Sequence, residues 1–599
     1  MPVLESQRLS GTLLTGASVH DGYFGGNYLF NRVAFNEHIG GGAFDETAAH
    51  IGLGHLRYPG GTIAETQFDL GNPDSRVQAT NLVTGAAITN SNQHALTPLS
   101  DFIAAAAAAR MSVTIVLPTA QYRDAIFQGG SARSDAEAEI KAFIADLMAR
   151  SGAGWVELLE IGNEFASIGL TPAEYGVIAK HMVQWVAEAL ADAPGQDPDI
   201  AIQVSSRAAR QDQTSTILSQ LTPDARAEVD AVVLHNYRPT PWQDASTTTG
   251  KFAHVAEAER ILGRDLEVVL SEWNVANGSA NDGLLQGAGL LEMFNQHARL
   301  GVDLAHIWPV FENNSTRLAA DVQDPDTAAD LMVGGEIFRQ LSVSARDGQV
   351  VNIAPYAHWD GDAAPDALIH AYAKGTSGGV AVFVSSLEAT SQELTLDLSS
   401  IDTLKSGADA LWITRTGVVG PNPTSAAAKP VTHAWAADPD APLTFTLAPF
   451  EILRLEYSGS DLPVPVMRDR AGANDLRPGL EPNIIVLSDD SARDVVRGFQ
   501  VGLDRLDISD WGIADLAGLE IVTRYRKDGS ASWIELRDQL GETEVALRFA
   551  DGVLDAARLT PESFVFAETA SLPTFDPGGP DGLGFNDIAA TTAGEIFRL

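Results

Sequence analysis

The stretch Val156-Glu157-Leu158-Leu159-Glu160-Ile161-Gly162-Asn163-Glu164-Phe165 opens as an apolar run of strand length and ends in the polar tip Asn163-Glu164. A carboxylate set where a buried strand runs out is held by rigid backbone yet faces a cleft, so its position and its pKa can both be controlled. A second tip of the same design follows at Leu266–Asn274, where Leu266, Val268, Val269 and Leu270 lead into Ser271-Glu272-Trp273-Asn274. Glu164 and Glu272 are too far apart in the chain for local pairing. Only a closed fold can bring them together, and the two read as a catalytic pair.

Outward from these tips, strand-like runs alternate with helical patterns from about residue 22 to 341, the mark of repeated βα units. Eight strands are expected: Phe24–Phe30, His55–Pro59, Ser112–Leu117, Val156–Ile161, Ile200–Ser205, Ala231–His235, Leu266–Ser271 and Leu304–Pro309. Eight is the number that closes a (β/α)8 barrel, whose chemistry sits at the carboxyl ends of its strands. Thr171-Pro172-Ala173-Glu174 reads as a capping box with proline at the first helical position. Behind it Tyr175, Ile178, Ala179, Met182, Val186 and Leu190 recur at helical spacing. Ser100 precedes an alanine-rich helix, and Asp135 is expected to open another. Residues 67–98, polar and rich in Asn and Gly, form a long insertion expected to wall the cleft or to remain a surface excursion.

Beyond Leu341 the texture changes to short alternating strands, as in an antiparallel β-sandwich. The expected domains are residues 1–20, an N-terminal strand that could join the sandwich; 21–341, the barrel; 342–458, the sandwich; 459–482, a linker; and 483–599, a β-rich C-terminal region. The fold class is therefore α/β, a (β/α)8 TIM barrel followed by an antiparallel β-sandwich and a further β-rich domain.

Length and composition bound the function. A chain of 599 residues exceeds one hydrophobic core, and 45% hydrophobic against 20% charged residues is a globular balance. With 79 acidic and 39 basic residues the net charge is −40, which disfavours nucleic acid and anionic membranes as partners. The chain has no cysteine, so disulfide and thiolate chemistry are excluded. The first residues lack a basic n-region and an apolar h-region, which argues against a cleaved secretory signal.

Other strand tips supply supporting groups. Arg57, in Leu56-Arg57-Tyr58-Pro59-Gly60-Gly61, can point a guanidinium at a carboxylate and keep it ionised. His235 and Tyr237 fall on one strand face. Trp308 offers a flat apolar surface. Paired carboxylates with a cation, a phenol and an aromatic plate suit glycosidic bond cleavage: one protonated carboxyl serves the departing oxygen, one carboxylate the anomeric carbon. No cofactor or metal is required for catalysis.

RYPGG, GNE and SEWN resemble the α-L-arabinofuranosidase family within the large clan of retaining glycoside hydrolases. They are also similar to the heparanase-like β-glucuronidases and the β-xylosidases. The resemblance covers about residues 24–341 and the appended sandwich. It implies a carbohydrate substrate, Glu164 as general acid/base, Glu272 as nucleophile and Asn163 as a hydrogen-bond partner of the sugar 2-hydroxyl. It further implies Arg57 and Tyr237 orienting Glu272, His235 in the supporting network and Trp308 flooring the subsite. The pocket-defining loops of the arabinofuranosidases find no match here, which leaves sugar identity open.

Asp489-Asp490, Asp494–Phe499, Asp504–Ile508 and Leu559–Ala567 look like the C-terminal region of proteins exported by type I secretion. That resemblance implies a secreted, extracellular protein handled by type I secretion machinery, and leaves calcium binding in this region open. Ala471–Asp475 is at best one degenerate calcium nonapeptide. Two rival readings remain: a metal-dependent barrel hydrolase built on Glu164, Asp230, His235 and Glu272, and a catalytically inactive glycan-binding or adhesive secreted protein.

Overall fold

The computed structural model describes residues 3–8, 14–30, 43–88, 96–150, 152–193, 198–243, 245–312, 314–320, 330–351, 367–374, 379–398 and, in shorter runs, much of 401–587. Eight strands close a parallel barrel: β1 (Gly25–Asn27), β2 (His55–Tyr58), β3 (Ser112–Leu117), β4 (Val156–Ile161), β5 (Asp199–Gln203), β6 (Ala231–Arg238), β7 (Glu267–Val275) and β8 (Leu304–Ile307). All eight expected strands are present. β1 is shorter than its apolar run, while β6 and β7 run on through Tyr237 and Glu272, so those side chains stand on strands rather than on loops.

The barrel interior is layered. Leu158, Ala201, Ala231, Val233 and Val269 fill its middle with small and branched side chains, the filling such barrels need. The carboxyl-end layer is polar: Asn27, Arg57, Glu160, His235, Ser271 and Glu272, all buried. The outward residues of the same strands, among them Leu56, Leu159, Ile161, Leu234 and Leu270, pack under the helices.

The outer ring includes α1 (Ala43–Ile51), α2 (Leu99–Ala108), α3 (Gly130–Ala149), α4 (Pro172–Ala191), α5 (Gln211–Ser219), α6 (Ala245–Leu262), α7 (Leu284–Arg299) and α8 (Val333–Ser344). The capping box forms: Thr171 Oγ1 accepts from the Glu174 N–H at 3.2 Å, and Glu174 Oε2 accepts from the Thr171 N–H at 3.0 Å. Two helix starts differ from expectation. α2 begins at Leu99, because Ser100 gives its N–H and hydroxyl to Asp74. α3 begins at Gly130, well before Asp135, because Gly129 and Gly130 at φ +69° and +58° let the chain turn in early.

The sandwich uses strands from both ends of the barrel. A seven-stranded sheet runs Pro430–Ala437, Ala410–Val418, Ile452–Ser458, Val380–Ser386, Ala367–Lys374, Gly348–Val351 and Leu14–Val19. A three-stranded sheet has Gln392–Asp397 at its centre, paired in parallel with Val3–Arg8 on one side and antiparallel with Leu443–Leu447 on the other. Tyr372, Phe383 and Ile452 join the core beneath α7, and His370 meets the buried Glu292 of that helix at 2.8 Å.

Residues 459–482, expected to be a linker, carry two strands of the C-terminal region. Val466–Arg468 pairs with Ile484–Val486, and Asp475–Leu476 with Arg493–Phe499. Up to Arg505–Asp507 the chain passes alternately between a four-stranded all-parallel sheet and a five-stranded sheet. Such winding needs a turn after every short strand, so its composition imitates a linker. Of the degenerate nonapeptide, residues 471–474 lie outside the described residues, as do 489–490 and 567. Among the described residues no helix is long and apolar enough to cross a membrane.

Candidate active site

The β4 tip is clamped from both sides. Gly162 turns the chain at φ +82°, and the buried Glu65 carboxylate accepts the N–H groups of Asn163 (2.7 Å), Thr119 (2.6 Å) and Ala120 (2.8 Å). On the other side Gln203 accepts from the Phe165 N–H and donates to the Gly162 carbonyl. Tyr175 of α4 donates to the Ile161 carbonyl at 2.7 Å. Between these anchors Glu164 is held at φ +46°, a left-handed conformation that costs a non-glycine residue ~1–2 kcal/mol. Strain of this kind persists only where the surroundings over-determine it.

β7 carries a bulge. Leu234 of β6 pairs with Leu270, but the next residue, His235, pairs with Glu272, so Ser271 is an extra residue in the strand. Strict alternation from Val269 inward and Leu270 outward would turn Glu272 out toward the helices. The bulge instead aims both Ser271 and Glu272 into the barrel, a recognised use of such irregularities. Trp273 turns outward, packing edge-on against His297.

Arg57 is the hub of the layer. Its five N–H donors are all used: two on Glu160 (2.6 and 2.9 Å) and one each on Asn27 (2.9 Å), Glu272 (3.1 Å) and Asn163 (2.7 Å). Burial opposes its charge, and Glu160, then Glu272, outweigh that and hold its pKa above the ordinary value. Its main partner is thus Glu160, not the Glu272 that the sequence suggested. Glu272 receives a second hydrogen bond from Tyr237 Oη at 2.8 Å. The Nδ2 of the buried Asn163 has no hydrogen-bond partner among the described residues.

His235 lies between the two glutamates. Its Nδ1 is 3.1 Å from Glu164 Oε1 and 3.5 Å from Glu272 Oε2; its Nε2 is 3.0 Å from Ser271 Oγ. Ser271 gives its single proton to Glu160, so the histidine donates at Nε2. Its burial opposes protonation, yet Glu272 and Glu164 together raise its pKa. Glu164 is drawn down to about 2, chiefly by the His235 hydrogen bond, against its own burial. One proton is therefore held along the line from Nδ1 to Glu164. Oxygens of Glu164 and Glu272 come within 4.8 Å of each other.

Trp308 follows β8, with its N–H on the Trp273 carbonyl and its own carbonyl accepting from Asn274. Gly60 and Gly61 leave room for its ring: a Cβ on Gly61 would stand 2.6 Å from it. These glycines serve a close approach as well as a turn. The described part of the 67–98 insertion takes no part in lining the cavity beside Glu164.

The structure thus brings together Arg57, Asn163, Glu164, His235, Tyr237 and Glu272, with Trp308 at the same end of the barrel. It leaves out Asp230, which precedes β6 at the opposite end and accepts the Ile200 N–H. The metal reading loses a ligand by this. Its three remaining donors lie close enough for an ion, but Glu272 already faces the Arg57 cation and the Tyr237 hydroxyl. Sequence reasoning passed over Glu65, Glu160, Asn27 and Ser271. Glu160 had a readable signal, a charged residue at an inward position of an apolar strand; Glu65 and Asn27 had none.

No protein-family model matches the chain, and no curated protein matches it. Solved structures share its fold. A family 51 α-L-arabinofuranosidase from Bifidobacterium longum superposes with a TM-score of 0.55 at 15% identity, over 76% of this chain and 99% of that one. An α-L-arabinofuranosidase from Thermotoga maritima gives 0.51 at 12% identity, over 75% and 99%. A 4-O-α-L-rhamnosyl-β-D-glucuronidase from Fusarium oxysporum 12S gives 0.50 at 14%, over 75% and 99%. The closed barrel with appended β-sheets is thus an architecture that known glycoside hydrolases also have.

Proposed function

We propose that this protein is a retaining glycoside hydrolase acting on a polysaccharide or oligosaccharide, with Glu272 as nucleophile and Glu164 as general acid/base. The observation that carries the reading is the approach of their oxygens to within 4.8 Å across His235. Retaining enzymes keep the two carboxyl groups ~5–5.5 Å apart, whereas inverting ones hold them ~6.5–9.5 Å apart to admit water. The similar structures named above include arabinofuranosidases and a rhamnosyl-glucuronidase, and that shared fold supports the reading.

In the first step a Glu272 oxygen bonds to the anomeric carbon as the glycosidic C–O bond breaks, and the departing oxygen takes a proton from Glu164. A carboxylate held at about 2 is a poor proton donor. The proton on His235 Nδ1, 3.1 Å away, is the reserve from which Glu164 is charged. In the second step Glu164 removes a proton from water, which displaces Glu272 from the anomeric carbon. Two inversions leave the configuration unchanged. Asn163 Nδ2 is available to a sugar hydroxyl, and Trp308 to the apolar face of the ring.

The test is reducing-sugar release from a panel of polysaccharides and aryl glycosides, with the configuration of the fresh product read by NMR. A product of inverted configuration, or full activity in Glu272→Gln, removes the assignment. We also propose export by type I secretion, on the C-terminal resemblance. Deletion of residues 483–599 is then expected to keep the protein inside a host that carries a compatible transporter, and unchanged export would refute it.

A further inference from the structure

Beside Glu164 a cavity of about 240 Å³ opens to solvent between the ends of β4, β5 and β6 and the helices α5 and α6. Glu164, His235 and Tyr237 line it on one side, whereas Glu272, Arg57 and Trp308 do not. It therefore extends from the acid/base away from the nucleophile, where a leaving group would lie.

Its other walls carry two cations, Lys251 and Arg207, among neutral side chains. Lys251, on α6, is only 9% exposed, and its ammonium has one hydrogen-bond partner among the described residues, the His235 carbonyl at 3.1 Å. An ammonium has three donors, so two remain for a ligand. No carboxylate pairs with it within salt-bridge distance among the described residues. Arg207, exposed at the rim of the same cavity, likewise has no side-chain ion pair among them. A chain with 79 acidic residues has ample means to neutralise a buried lysine, yet this one is left without a carboxylate partner. Buried charges are ordinarily paired, whereas the Lys251 ammonium faces the cavity with only the longer-range charge of Glu164 to offset it.

We infer that this cavity is a subsite for an anionic sugar on the leaving-group side of the substrate, a uronate or a sulfate ester, with Lys251 and Arg207 as its cationic anchors. The inference rests on the proposed glycosidase reading and supplies its substrate class. Lys251 is drawn down to about 8 by burial and by Arg238, against the opposing pull of the Glu164 charge, which still leaves it mostly protonated at pH 7. The bound anion also bears on catalysis. A negative charge next to Glu164 raises the pKa of that carboxyl, which moves the His235 proton onto it when the leaving group is in place.

The experiment is calorimetric titration of D-glucuronate and of inorganic sulfate into the full-length wild type, Lys251→Met, Lys251→Arg and Arg207→Ala, each checked for folding by circular dichroism. One anion is expected to bind the wild type. Lys251→Met should weaken it roughly tenfold or more, as loss of a buried charge partner does. Lys251→Arg should restore most of the affinity, and Arg207→Ala, an exposed change that leaves the core intact, should weaken it by a smaller factor. Binding of glucuronate alone assigns a uronate; binding of sulfate alone assigns a sulfate ester. Equal affinity in all four proteins, or none for either anion in the wild type, overturns the subsite.

Hydrolysis supplies the second arm. The rate ratio of glucuronoxylan to its carboxyl-reduced form, or of a sulfated galactan to its desulfated form, is expected to fall about tenfold in Lys251→Met. An unchanged ratio counts against the subsite. Should Glu272→Gln keep full activity, the glycosidase reading fails on its own while the titrations still decide the anion site.

Discussion

At the carboxyl end of the barrel Glu160, Glu164 and Glu272 lie among Arg57, His235 and Tyr237, and each meets a donor at hydrogen-bond distance. At the amino end Asp199, Asp230, Glu267 and Asp303 line another cavity, with Arg264 no closer than 4.0 Å to Asp230. Asp230 and Asp303 accept strand N–H groups there, a structural duty. Glu267 is pushed up to about 7 by partial burial and by Asp199, Asp303 and Asp230. The contrast teaches that a crowd of carboxylates is not in itself a site. Chemistry becomes available where each carboxylate is given a distinct partner, because the partner fixes its orientation and the charge it faces.

The comparison is broken most severely at Glu272. Glu272→Gln is expected to lower kcat on the order of 10⁴-fold or more, and Glu164→Gln by roughly 10²–10⁴-fold on substrates with poor leaving groups; both are measured on the panel described above. Next comes Arg57→Met, which strands Glu160 and Glu272 without their shared cation. It should cost about 3–5 kcal/mol in denaturant unfolding, and Arg57→Met/Glu160→Gln should recover part of that loss.

A smaller effect is expected at His235. Its pKa is raised, so its contribution to stability is full below about 6.5, the unfolded value, and is lost as pH rises through the higher folded value. Melting curves of His235→Asn should lack that decline, and its activity should fall at all pH values because the proton reserve is gone. The smallest effect belongs to the amino end. The folded pKa of Glu267 is raised from 4.5 to about 7, so its penalty is absent below about 4.5 and complete above about 7. Glu267→Gln should therefore stabilise the protein at pH 8 by less than about 1 kcal/mol and leave it unchanged at pH 4. Equal shifts at both pH values would show that the amino-end acids do not repel one another.

Much of the fold was legible because it rests on local regularities. Apolar runs of strand length, the Thr171–Glu174 capping box and the helical stripe from Tyr175 to Leu190 each act within a few residues. The C-terminal winding was not legible, since its short strands from Val466 onward are stabilised by coils stacked above and below rather than by their own pattern. The site was legible in its types. Glu164 and Glu272 at strand tips, Arg57, and the His235–Tyr237 spacing were all marked by polarity at the end of an apolar run.

The sequence by itself determined that eight βα units would carry two glutamates to one end of a barrel, because hydrophobic periodicity and strand ends are properties of the chain. Only the tertiary structure decided which way those glutamates face. The bulge at Ser271, visible as a register shift against β6 and β8, turns Glu272 inward where simple alternation would turn it out. The left-handed turn at Glu164 depends on Glu65 and Gln203, residues from other strand–loop units. Lys251 reaches the same cavity from a helix whose spacing gives no hint of it. Register, clamping and the meeting of distant charges arise from closure of the barrel, and closure is a sum over long-range contacts that no local window contains.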